Sequence, residues 1–109
     1  MITHTAFFGE GDHAFTLTDS MILELERVTG QGIGALYQRA VAMQFAASDL
    51  VEIIRLGLIG AGMAPQQAMQ LTATYARNRP LAETYPLALD ILDARWNGTP
   101  APATGDTAE

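Results

Sequence analysis

A chain of 109 residues with no cysteine and a formal net charge of −6 carries one domain's worth of sequence, without a disulfide framework or a thiolate zinc site. Its six basic residues are all arginines (Arg27, Arg39, Arg55, Arg77, Arg79 and Arg95) and are dispersed, so no basic stripe is present to hold a phosphate backbone, and nucleic acid is excluded as a partner. Arg, Gly or Asp interrupts every long apolar stretch, which excludes a bilayer span, and the N-terminus MITHTAFFGEGDH lacks the basic start and apolar run of a signal peptide, so a soluble, cytoplasmic protein is expected.

In chain order, ITHTAFF (residues 2–8) and HAFTLT (13–18) are short and rich in Thr, Ile and Phe, with Gly9-Glu10-Gly11-Asp12 between them. Together they predict a β-hairpin over about residues 2–18. A turn centred between Glu10 and Gly11 would set Phe8 opposite His13 and His4 opposite Leu17. From Asp19 the period changes to that of a helix, with Met21, Ile22, Leu25 and Val28 on one face, Thr18 or Asp19 as the cap and Gly30 at the end. A second helix is expected from about Ile33 to Phe45, with Ile33, Leu36, Tyr37, Ala40, Val41 and Gln44 in its stripe. Ser48 reads as the N-cap of a third, which buries Leu50, Ile53, Ile54 and Leu58 and stops around Gly60 to Gly62. Pro65 opens a fourth helix carrying Ala68, Met69, Thr72, Tyr75 and Ala76. Pro80 opens a fifth, in which Leu81, Tyr85, Ala88, Leu92 and Trp96 keep phase through Pro86, so one kinked helix is expected.

The fold class this predicts is mainly α: a compact bundle of about five helices preceded by an N-terminal β-hairpin. Residues 1–97 form a single domain, and 98–109 are expected to be a disordered tail with nothing to bury.

The segment GLIGAGMAP (57–65) tests for a dinucleotide loop. Such a loop needs a strand before it and a third Gly or Ala at the sixth position. Here the sixth position is Pro65, and DLVEIIRLGLI ahead of it repeats at three and four residues, which is helical spacing. Gly60-Ala61-Gly62 therefore reads as a helix stop, with a small nucleotide- or ligand-binding domain as the different-class alternative. Gly57 lies inside the third helix, where glycine costs about 1 kcal/mol against alanine. Either a fraying end tolerates it or another backbone approaches closely there. His4 and His13 would lie on one sheet face about 13 Å apart along it, too far to share a metal ion. Asp90 and Asp93 are one turn apart, as on any solvated helix face. No catalytic set, cofactor or metal is expected, and the chain is read as a non-enzyme.

The hairpin carries the sharper signal. Adjacent Phe7 and Phe8 must point to opposite faces of the pleat, and a bundle can cover only one. Either Phe7 stands on the open face with Thr3, Thr5 and Thr16, beside unpaired strand edges that invite a partner, or it tucks into a loop. The candidate partner-binding residues are Phe7, Phe8, Phe15, Gly57 and Trp96.

The order of a hairpin, LTDSMILELERVTGQGIGAL, FAASDLVEIIRLGLIGAG, a final apolar helix and a loose end resembles the small tail-cluster proteins of bacterial gene transfer agents, grouped with phage tail assembly chaperones. The likeness covers most of residues 10–97 and rests on Leu23-Glu24-Leu25-Glu26 and on Ile54-Arg55-Leu56-Gly57-Leu58 leading to Gly60 and Gly62. It implies a non-enzymatic role in building a phage-like tail: coating the tape-measure protein and recruiting tail-tube subunits, with self-association along the client. Some members are described instead as tail-tube or minor tail components, which would place the chain in the particle.

Overall fold

The structure, a computed structural model, describes residues 1–99. β1 (Thr3–Phe8) and β2 (Gly11–Thr16) pair antiparallel, with Phe8 opposite Gly11, Ala6 opposite His13 and His4 opposite Phe15. The turn is therefore centred one residue earlier than the sequence implies, and every cross-strand partner moves by two. Gly9 fixes this position. Its φ is +69°, which suits the first position of a two-residue hairpin turn. A Cβ there would also stand 2.5 Å from the Tyr75 ring. A shift of two preserves the in–out alternation, so the expected faces survive the change of register.

α1 (Asp19–Thr29) has both expected ends: the Thr18 hydroxyl accepts from the Met21 N–H at 3.2 Å, and Gly30 closes it in the left-handed conformation. Arg95 anchors its start, donating to the Leu17 carbonyl at 3.0 Å and the Asp19 carboxylate at 2.7 Å. α2 (Ile33–Val41) stops short of the expected Phe45. Met43 takes φ +58°, and the Gln44 N–H returns to the Arg39 carbonyl at 2.7 Å, a closure that ends a helix without glycine. Off the helix, Phe45 stacks on Tyr85 with ring centroids 4.9 Å apart, while Val41 and Gln44 face solvent.

α3 (Ala47–Gly60) begins before Ser48, and Asp49 rather than Ser48 supplies the cap: its carboxylate accepts from the Ala46 N–H at 3.2 Å. Leu50, Ile53, Ile54 and Leu58 are buried as their spacing predicts, and so are Val51, Leu56 and Gly57. Glu52 and Arg55 keep a partly exposed, ion-paired strip on α3, and α1, α4, α5 and β2 pack against the helix. It is the axis of the molecule.

α4 (Pro65–Tyr75) opens on its proline and buries Ala68 and Thr72, whose hydroxyl donates to the Ala68 carbonyl at 3.0 Å. Met69, expected on that face, is 58% exposed. α5 (Leu81–Asn97) runs through Pro86 as one helix. The carbonyl of Ala82, deprived of its donor by the proline, belongs to an exposed residue, which lowers the cost of the lost bond. The buried face is Thr84, Ala88, Ile91, Leu92 and Ala94, so Leu81 and Trp96, the ends of the expected stripe, stand about half exposed. The Tyr85 hydroxyl donates to the Ala40 carbonyl at 2.7 Å and ties α5 to α2.

The fold is thus mainly α, with five helices after a two-stranded hairpin. Its attachment runs past residue 97, because the Thr99 N–H donates to the Met1 carbonyl at 2.6 Å and its hydroxyl to the Thr3 carbonyl at 3.2 Å. The rest of the expected tail, 100–109, lies outside the described residues. No helix among the described residues is long and apolar enough to cross a membrane.

Candidate functional site

The pleat separates the two neighbouring phenylalanines as expected. Phe8 turns inward and is 6% exposed; Phe7 turns outward and is 69% exposed. On the inner face Phe8 meets Phe15 and Tyr75 edge-on, at centroid distances of 6.0 and 6.1 Å. This aromatic cluster is what docks the hairpin on the helices, with β2 over α3 and β1 over α5. On the outer face Phe7 stands opposite Asp12, next to the Thr5–Ala14 pair, all of them exposed. A shallow cleft of about 330 Å³ opens beside the hairpin tip, between Phe7, Gly9, Tyr75, Arg79 and Leu87.

The five candidate residues therefore divide. Phe8, Phe15 and Gly57 are enclosed by the chain itself, out of reach of a partner while the hairpin stays docked. Phe7 and Trp96 are presented to solvent. Trp96 was expected to continue the core stripe; instead it lies stacked on Tyr37, with centroids 4.7 Å apart and planes 16° from parallel, and is 54% exposed. The Tyr37 hydroxyl in turn donates to the Asp93 carboxylate at 2.5 Å. That hydrogen bond, followed by partial burial, holds the phenol above its ordinary value and fixes the ring beneath Trp96. The two aromatics form a rigid shelf on the α2–α5 side.

The glycines answer the loop question. Leu50 to Leu58 lie inside α3, so a helix occupies the place where a dinucleotide loop needs a strand. Gly60 ends that helix, and a Cβ on it would stand 1.8 Å from the Thr16 carbonyl oxygen. Gly57, one turn earlier, would meet the Phe15 Cβ at 3.2 Å. At Gly57 the nearest atoms belong to the Phe15 and Ile91 side chains, so the backbone approach considered there is found instead at Gly60, against β2 of the same chain. The sequence carries this signal as Gly-x-x-Gly, Gly57 and Gly60, on one helix face.

His4 and His13 share the inner face, two positions apart along the sheet rather than four. Among the described residues the buried His13 Nε2 has no hydrogen-bond partner, and the Glu10 carboxylate stands 3.7 Å away. The His4 Nε2 lies 3.8 Å from the Asp90 carboxylate. Asp90 thus faces β1 and Asp93 faces Tyr37, so the two carboxylates have separate structural neighbours. Among the described residues no group of three His, Cys, Asp or Glu is placed to hold a metal ion.

The model of the family described as "Phage tail tube protein, GTA-gp10" matches residues 1–98. No curated protein and no solved structure matches the chain. The match agrees with the resemblance to gene transfer agent tail proteins, and its description names the tube, not an assembly chaperone. Spanning the hairpin and all five helices, it shows that this chain belongs to the GTA-gp10 phage tail tube protein family.

Proposed function

We propose that the chain is a non-enzymatic structural component of a phage-like tail and meets its neighbours through the outer face of the hairpin. The observation that supports this reading most is Phe7, a large aromatic 69% exposed on a strand whose other face is committed to the core. Burying such a side chain against a partner is worth about 2 kcal/mol, and aromatic residues supply much of the energy of protein interfaces. Trp96 on the Tyr37 shelf is a second anchor of the same kind. The neighbours on this reading are tail-tube subunits, the tape-measure protein and further copies of the chain, with assembly in the cytoplasm and residence in the particle. The test is protein quantitation of purified particles. A fixed number of copies per particle is the expected result, and an empty reading alongside intact tails rejects it.

A second reading, a tail assembly chaperone that holds the tape-measure protein and leaves, draws support from Met43 and Met69, exposed at 67% and 58%. Methionine is flexible and polarisable, which suits adaptable contact with a client. Co-expression with the tape-measure protein should then yield a soluble complex whose small subunit is missing from finished particles.

A further inference from the structure

The two edges of the hairpin differ. In an antiparallel pair closed by a two-residue turn, the residues flanking the turn exchange hydrogen bonds, and alternate residues aim their N–H and C=O groups away from the partner strand. Phe8 and Gly11 flank the turn, so Thr3, Thr5 and Phe7 address the outer edge of β1, and Asp12, Ala14 and Thr16 that of β2. Contacts outside the ladder agree with this parity. The Thr16 carbonyl lies against Gly60, and the Thr3 carbonyl accepts from Thr99. The end of α3 covers the β2 edge at Thr16, and the α3–α4 loop flanks Asp12 and Ala14, which stay exposed along a cleft with Leu58 and Met63. On the β1 edge, Thr99 already bonds to the carbonyls of Met1 and Thr3. That leaves Thr5 and Phe7, exposed, with no backbone hydrogen bond outside the ladder among the described residues.

Resting on the reading that the hairpin meets tail partners, we infer that the Thr5–Phe7 edge takes an extended, basic segment of a partner protein as a third strand. The charge around it selects the partner. Asp12 stands across from Phe7, and Glu10 sits in the turn, 56% exposed. The arginine lining the cleft at the tip, Arg79, is paired with Glu83. A strand added to β1 lies two strand spacings, about 9.6 Å, from β2. A lysine or arginine on its Phe7 face spans that gap, its stem crossing the ring and its charge reaching toward Asp12. An acidic segment meets repulsion at the same place. The chain's own net charge of −6 makes a second copy the poorer occupant. Two residues offer only four backbone hydrogen bonds, so one such contact is weak, on the order of 100 μM, and repetition along a tail would supply the avidity.

The probe is a six-residue peptide alternating lysine with valine, acetylated and amidated, titrated into the isotope-labelled full chain and followed by amide NMR. The amides of Thr5 and Phe7 are expected to shift, with half-saturation near about 100 μM at 50 mM salt and several-fold weaker at 500 mM. Thr5→Pro removes one outward N–H, leaves the β1–β2 ladder intact and is tolerated on an edge; with its helical circular dichroism unchanged, it should abolish the response. Asp12→Asn should weaken it several-fold. Equal binding by the glutamate–valine peptide, shifts confined to other elements, or an undiminished response in Thr5→Pro overturns the inference. Shifts of Thr5 and Phe7 that depend on protein concentration without peptide assign the edge to a second copy, and also overturn it. The two readings fail separately. A chain found in particles with no peptide response loses this edge and keeps its tail role, whereas a chain absent from particles with a full response does the reverse.

Discussion

Gly57 and Gly60 sit one turn apart on α3 and face the same strand, yet they should respond differently to one added methyl group. At Gly60 the methyl carbon would overlap the Thr16 carbonyl oxygen, a backbone atom held in the hairpin, so Gly60→Ala is expected to cost about 3 kcal/mol. At Gly57 the clash with Phe15 is milder, and alanine regains about 1 kcal/mol of helix propensity, so Gly57→Ala should stay within about 1 kcal/mol of the wild type. Urea midpoints of the two variants check the ranking; equal effects would deny the close approach of β2. A mid-helix glycine was legible in the sequence as a possible close approach, but the identity of the approaching strand was not, because it depends on how a hairpin 40 residues away docks. Tyr37 supplies a second test. Its phenol is raised mainly by the bond to Asp93, so the fold favours the protonated hydroxyl. That contribution is whole below the ordinary value of 10.0 and is lost as pH rises through the folded value. The stability difference between wild type and Tyr37→Phe should therefore be constant from pH 7 to 9 and shrink above pH 10, as followed by denaturant unfolding.

At the scale of elements, the hairpin has one face for stability and one for contact. Phe15, fully buried, should cost about 4 kcal/mol when replaced by alanine. Phe7→Ser should change stability by less than about 0.5 kcal/mol while weakening partner capture in a pull-down with tail proteins. Similar unfolding midpoints for the two variants would contradict the assignment of faces. The end of α2 carries its own prediction. Met43 holds a left-handed conformation that costs an L-residue about 1 kcal/mol. Met43→Gly should recover roughly half of that after the added freedom of the unfolded chain is counted, visible as a small rise in the thermal midpoint. Helix starts and stops marked by Thr18, Gly30 and Pro65 were legible because each residue acts locally. The stop of α2 was not, since no glycine or proline marks it and the stacking of Phe45 on Tyr85 joins residues far apart in the chain. The hairpin's existence was readable from its composition. Its register turned on which of two nearby glycines took the positive φ, and Tyr75 on α4 settles that choice from outside the hairpin.

Taken whole, the molecule surrounds its most buried helix, α3, with three others and a hairpin, and leaves its aromatic surplus at two places, Phe7 and the Trp96 shelf. The separation of Phe7 from Phe8 followed from the pleat, and the docking of the hairpin decides that Phe7 is the outward one. The exposure of Trp96 did not follow from the sequence, because the helical stripe that predicted its burial runs past the end of the layer beneath it. The chain belongs to a phage tail tube family, and on the function proposed above the outer hairpin face is where its neighbours meet it. The most direct measurement is the copy number of the chain in purified particles from cells making either the wild type or Phe7→Ser at equal intracellular levels. The account predicts a fixed wild-type copy number and a loss of at least tenfold for the variant. Equal copy numbers for both proteins, or none for the wild type in intact tails, would contradict it.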